Sequence, residues 1–194
     1  LTGNPQITFF KVVYRRHTNF SMETIQQTIN GTPSSGQNST VTISRNGDLV
    51  HKIYVTNDNS SVSDGSQLVS EVELEIGGQR IDRHYQEWMD VWNELTTSES
   101  KAVGLKAMQG AVVSQAANGV DLVQVPLQFW FCRNPGLALP LIALQYHEVK
   151  LKFTWGSSAG NVSGCSVLCD YIYLDTDERR RFAQVSHEYL IEQL

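Results

Sequence analysis

A chain of 194 residues with 41% hydrophobic content is long enough for one domain with a sizeable core. Its 20 acidic against 15 basic residues leave a net charge of −5, which argues against a phosphate-binding surface, where Lys and Arg must cluster. No apolar run reaches the roughly 18 residues that a membrane-spanning helix needs.

Strand signals dominate the chain. Ile7 to Arg15 is β-branched and aromatic, and Thr24 to Ile29 reads as a second strand. Thr40 to Ser44 alternates cleanly, and Asn46-Gly47 predicts a tight hairpin turn into a strand from Leu49 to Thr56. In Glu71 to Ile76, Val72, Leu74 and Ile76 share one face and three glutamates the other. Val123 to Phe131, Leu141 to Trp155 and Ser166 to Leu174 complete the set. In the middle one, Val149, Leu151, Phe153 and Trp155 face one way, and Glu148, Lys150 and Lys152 the other. About eight period-two segments predict an all-β, antiparallel, eight-stranded sandwich of two four-stranded sheets.

The exception is a helical insertion predicted over residues 81–119. Ile81, Tyr85, Trp88, Trp92 and Leu95 recur at spacings of three and four, with Asp82 as a candidate cap. Ser98 to Met108 reads as a second short helix. A third helical turn starts near Asp175, which has capping-box spacing to Glu178. The basic run Arg179-Arg180-Arg181 follows Asp175, Asp177 and Glu178, so it reads as a charge-balanced helix rather than a nucleic-acid patch. Two polar stretches, Asn30 to Ser39 and Thr56 to Ser66, read as exposed loops.

Reactive chemistry finds little support. Gly156-Ser157-Ser158-Ala159-Gly160 matches a nucleophile elbow, with Asp170 and His187 following in hydrolase order. The elbow needs a strand-to-helix turn over a parallel sheet, and here a Gly/Ser loop leads into another strand. No catalytic residue, cofactor site or metal site is assigned. The histidines at 17, 51, 84, 147 and 187 form no ligand pair. Glu71, Glu73 and Glu75 lie about 6.6 Å apart along a strand, too far apart to chelate one ion. Cys132, Cys165 and Cys169 are odd in number and sparse, as reduced thiols are. Cys165 and Cys169, on one strand, would lie about 13 Å apart, too far for a disulfide. The tryptophans and the phenylalanines 129, 131 and 153 have core spacing. Five glycosylation sequons occur, at Asn19, Asn30, Asn38, Asn59 and Asn161; Asn30, Asn38 and Asn59 fall in the predicted loops, where a glycan is tolerated.

The segment from Phe129 to Lys150 is the most informative. An apolar strand stops at Asn134-Pro135-Gly136, then a short apolar corner leads into the next strand. Such a corner must be covered, so Leu137, Leu139, Leu141 and Ile142 are expected to be buried or to lie at a domain boundary. With Gly3 to Phe20 and Asp177 to Gln193, this segment resembles the first jelly roll of the major capsid proteins of large nucleocytoplasmic DNA viruses, the phycodnavirus, mimivirus and iridovirus group. The resemblance implies that residues 1–194 are one jelly roll and that a second follows in the full-length protein. Residues 177–194 would start the linker, with Phe182 and Tyr189 pinning it. It further implies a homotrimer whose six jelly rolls form a pseudo-hexagonal capsomer. Capsomers would pack with one another and with minor capsid proteins into an icosahedral shell assembled in the host cytoplasm, with no direct nucleic-acid contact. A jelly-roll carbohydrate-binding module, such as a host-attachment protein, is the alternative.

Overall fold

The computed structural model describes residues 2–7, 12–58, 65–110, 123–157 and 164–194, with side chains described from residue 17 onward. Strands β1 (Thr2–Ile7) and β2 (Val12–Arg16) pair antiparallel as a separate two-stranded sheet. The single strand expected over Ile7 to Arg15 is therefore two, since Ile7 pairs with Val12.

The remaining strands build two sheets. They are β3 (Phe20–Gln27), β4 (Ile29–Asn30), β5 (Asn38–Thr42), β6 (Leu49–Asn57), β7 (Val69–Ile76), β8 (Gln79–Tyr85), β9 (Val123–Pro126), β10 (Leu139–Pro140), β11 (Val149–Trp155) and β12 (Cys165–Leu174). Sheet one runs β3-β12-β6, with β9 and β10 both pairing β6 on its far side. Sheet two runs β4-β5-β11-β7-β8. All pairings are antiparallel. The architecture is a sandwich of two five-stranded sheets among the described residues, not two four-stranded ones.

The inner faces follow from alternation. In β11, Val149, Leu151, Phe153 and Trp155 are all buried. They share one apolar cluster with Ile53, Val55, Val167, Cys169 and Tyr171 of sheet one and Val72 and Leu74 of sheet two. Burying each large side chain contributes roughly 1.5–3 kcal/mol before conformational entropy is counted. Two polar atoms carried inside find partners: Trp155 Nε1 donates to Ser39 Oγ at 2.9 Å, and the Tyr171 hydroxyl donates to the Ser44 carbonyl at 2.6 Å, whereas the indole N–H groups of Trp88 and Trp130 have none among the described residues.

Asn46-Gly47 does not make a hairpin. β5 belongs to sheet two and β6 to sheet one, so the chain crosses the sandwich there. Gly47 answers a steric need instead: a Cβ at this position would lie 2.8 Å from the Tyr171 Cβ. The tight hairpin sits at Gly77-Gly78 between β7 and β8, where both residues have positive φ, 60° and 83°.

Helices α1 (Gln86–Thr96) and α2 (Glu99–Met108) follow β8. The helical stretch therefore starts at Gln86, not Ile81, and residues 111–119 of the expected insertion lie outside the described residues. The spacing of four between Ile81 and Tyr85 fits period two as well as a helix. As strand residues they alternate with buried Asp82 and His84.

The strand expected over Val123 to Phe131 is interrupted. After Leu127 N donates to the Ile53 carbonyl, the chain leaves β6 and returns at Leu139, which pairs with Val50. The excursion forms the short helix α3 (Trp130–Arg133) and a 3-10 turn over Pro135–Leu137. It buries Phe129, Trp130 and Phe131, the last two edge to face at 5.1 Å. Residues 141–146 then form turns rather than strand, because Pro140 presents its carbonyl to the amides of Ala143 and Leu144. The final helix, α4 (Thr176–Gln184), is capped by Asp175, which accepts from Thr176 N.

Candidate assembly surface

The apolar corner and the C-terminal tail come together. Buried Asp48, just before β6, accepts from Leu174 N at 2.8 Å and holds the Arg179 guanidinium through both carboxylate oxygens, at 3.0 and 3.1 Å. One carboxylate thereby fixes α4 to the end of β12. Beyond α4 the chain runs without helix or strand to Leu194. Side chains hold it: His187 Nε2 lies 2.7 Å from the Phe182 carbonyl, the Tyr189 hydroxyl donates to Ala138 O at 3.4 Å, and Glu192 pairs with Arg133 at 3.0 Å. Between tail and corner lies a groove of about 370 Å³, lined mainly by apolar residues including Trp130, Leu139, Leu144, Phe182, Tyr189 and Ile191.

Of the residues singled out in the sequence, Leu139 and Leu141 are buried, at 4% and 2% exposure, and Ile142 is half-buried. Leu137 is 38% exposed, so it is not a core residue of this chain; it ends the 3-10 turn outside the apolar cluster. Leu139, Phe182 and Tyr189 share the groove, which Leu137 does not reach.

The outer face of sheet one extends this apolar surface. Phe20 lies across from Leu174 and Met22 across from Ile172. Ile172 packs with Leu49 and Ala138 in a small cluster separate from the main core, with Leu174 and Phe182 against it. Phe20 and Met22 are 66% and 52% exposed. Sequence reasoning missed them because β3 begins at Phe20, not Thr24. Alternation carried four residues upstream was the available signal.

A second missed feature closes the edge of sheet two. The side chains of Asp82 and His84 are both buried, and His84 Nε2 lies 2.8 Å from Asp82 Oδ2. Asp82 Oδ1 accepts from the amides of Arg83 and Leu194. Burial alone works to raise the Asp82 pKa, but the bond and charge of His84 with the two backbone amides outweigh it. They hold the carboxyl below its usual value.

Candidate chemistry is dispersed. Ser158 lies outside the described residues, Asp170 accepts from Thr24 Oγ1, and His187 is turned to the Phe182 carbonyl. Among the described residues no group of three His, Cys, Asp or Glu side chains could hold a metal. Burial pushes the thiols up, to about 12 at Cys132 and about 11 at Cys165, with Cys169 raised as well. None is a thiolate near neutral pH. Among the described residues no helix is long and apolar enough to cross a membrane. Asn19, Asn30 and Asn38 are exposed, Asn38 Oδ1 accepting from Thr154; Asn59 and Asn161 lie outside the described residues.

Among the described residues the sandwich brings no metal-binding group together and leaves an apolar flank exposed at Phe20 and Met22. The chain belongs to the family described as "Major capsid protein N-terminus", which it matches over residues 8–175. It is 58% identical over 218 aligned residues to the major capsid protein of Pyramimonas orientalis virus, covering 100% of this chain and 54% of that protein. It is 48% identical to the major capsid protein of Paramecium bursaria Chlorella virus 1, covering 100% of this chain and 49% of that one. The chain thus spans about half the length of these relatives. Its fold matches the solved PBCV-1 virus capsid with a TM-score of 0.80 at 45% identity, over 96% of this chain and 50% of that chain. The Faustovirus major capsid protein shares the fold, with a TM-score of 0.65 at 12% identity.

Proposed function

We propose that this chain is the first of two jelly rolls in a major capsid protein, and that three copies of the whole protein form a pseudo-hexagonal capsomer. Capsomers join one another and minor capsid proteins in an icosahedral shell assembled in the host cytoplasm. Strand order supports the jelly-roll reading: β3 and β12, the first and last strands of the sandwich, are neighbours in one sheet, and β5 pairs β11 in the other. The expected pinning of a linker by Phe182 and Tyr189 is part of the same proposal.

The observation that carries this reading is the apolar flank from Phe20 and Met22 through Leu174 and Phe182 to the groove. Its members lie at the end where the chain leaves the sandwich. Permanent assemblies hide such surface, whereas a monomer rarely keeps a large contiguous patch. The mechanism is burial and shape. Large aromatics such as Phe129, Trp130 and Trp155 are in the core, leaving no open aromatic cleft of the sugar-binding kind among them. Asn30 and Asn38 stand exposed, where attached sugars would be tolerated.

The test is light scattering of the full-length protein, wild type and Phe20→Ser/Met22→Ser. The wild type should have the mass of a trimer, and the variant should dissociate more readily while melting at an unchanged temperature. A monomeric wild type that binds a glycan tightly would overturn the reading in favour of a lectin.

A further inference from the structure

The helical pair α1–α2 carries opposite charge on its two sides. On one side, α1, α2 and the outer face of β6 and β9 enclose a cleft of about 470 Å³. Lys52, Lys101 and Arg133 line it, and no acidic residue does. Arg133 is engaged: its guanidinium stacks on Trp92 at 3.9 Å, donates to the Gln128 carbonyl and pairs with Glu192 of the tail. Lys52 and Lys101 are exposed and make no ion pair among the described residues. Burial and the charge of Asp170, on the adjacent strand, both raise the pKa of the cleft's Tyr54, and Asp170 already accepts from Thr24. Two cations without an ion pair among the described residues, in a concave site, are unexpected on a chain of net charge −5.

On the other side, the groove between the same helices holds about 420 Å³ and is lined by Asp90, Glu94 and Glu99 against one cation, Lys106. Thr97 and Leu105 line both clefts, so the two are adjacent on one helical pair. Adjacent basic and acidic clefts can meet a second copy across a two-fold axis, each basic cleft on the other's acidic one, or head to tail, where repetition closes a ring or continues as a lattice.

We propose that the basic cleft around Lys52 and Lys101 receives the acidic side of the α1–α2 pair, at Glu94 and Glu99, from a second copy of this protein. This rests on the assembly reading above. The contact sets partner orientation and association rate more than it adds affinity, since opposite charges steer encounter and like charges reject a wrong register.

The test uses the full-length protein, in three forms besides the wild type: K52E/K101E, E94K/E99K and the quadruple swap. Light scattering and sedimentation, at low and high salt, read trimers and larger arrays. Each double variant should weaken self-association about tenfold or more at low salt, as disrupted interfacial charge pairs do. The quadruple should regain wild-type behaviour. Loss of trimer would place the contact in the ring, and loss of arrays with trimers intact would place it between capsomers; either supports the proposal. Double variants that assemble like the wild type, or a quadruple no better than the doubles while melting normally, would overturn it. A wild type that never associates would overturn the assembly reading itself.

Discussion

The two sheets bury equivalent inner faces but present opposite outer ones. On sheet two, β11 and β7 place Lys150 opposite Glu75, Lys152 opposite Glu73 and Thr154 opposite Glu71. β8 adds Arg80 and Arg83, which pair with Glu73 and Glu71 at 3.7 and 3.5 Å. Lys152 bonds Glu75 and reaches Glu73, and Lys150 pairs with Glu148. Every glutamate of that column has a cation from a neighbouring strand, so the face is complete in water. The corresponding face of sheet one offers Phe20, Met22, Leu174 and Ile172, with α4 and the corner covering only part of it. Farther along sheet one Thr24 donates to Asp170 and Gln26 to Ser166, so the face left without its own partners is the end at Phe20 and Met22. The proposed assembly surface rests on that difference.

The comparison requires that sheet two be held from its inner side alone, and the largest expected effect tests this. Trp155→Ala removes a fully buried indole, its ring contact with Phe153 at 5.3 Å and the bond to Ser39. It should cost about 3–5 kcal/mol, the usual range for a large aromatic cut to alanine in a core. Denaturant unfolding of the full-length variant measures it. A loss under about 1 kcal/mol would mean that the shared core is not what joins the sheets.

A smaller effect sharpens the comparison at the edge of sheet two. Folded Asp82 titrates below an unfolded aspartate. Its stabilisation is therefore fully present above the unfolded value of about 3.9, and is lost as pH falls from there through the lower folded value. Melting temperatures of the full-length protein from about pH 6 down to about pH 3 should fall more steeply for the wild type than for Asp82→Asn, which lacks the titrating group. Parallel acid limbs would show that His84 and the backbone amides of Arg83 and Leu194 do not hold the carboxylate. His84 Nδ1 has no hydrogen-bond partner among the described residues, and Nε2 is the ring nitrogen that faces Asp82, at 2.8 Å.

What was legible in the sequence follows the same division between inside and outside. Val149 to Trp155 could be read completely because strict alternation has one interpretation when one face is buried. Trp88 and Trp92 marked a helix correctly, but Ile81 and Tyr85 did not, since a spacing of four is common to both periods. Asn46-Gly47 looked like a turn, yet its glycine is set by Tyr171, more than a hundred residues away. Leu139 could be picked out because an apolar run beside Pro and Gly must be covered, whereas Phe182 and Tyr189, which line the same groove, were expected at a linker by resemblance. Phe20 and Met22 were missed because the strand was started at Thr24: alternation carried upstream puts them on one face, but only the neighbouring strands decide that this face is exposed. The bidentate Asp48–Arg179 pair was hidden for the same reason: its partners are 131 residues apart.

The smallest expected effect completes the comparison. Glu75 bonds Lys152 across β7 and β11, on the outer face of sheet two. Exposed pairs of this kind contribute little, because water screens the attraction and two long side chains must be held still. Glu75→Gln should therefore leave the melting temperature of the full-length protein unchanged within error, and its mass in solution unchanged as well. Lys152 keeps a partner in Glu73 at 3.8 Å, so the substitution strands no charge. A marked loss of stability that persists at high salt would show that this face is shielded from solvent in the assembled protein. Sheet two would then be a packing surface like the one proposed for sheet one, and the asymmetry that singles out Phe20 and Met22 would disappear.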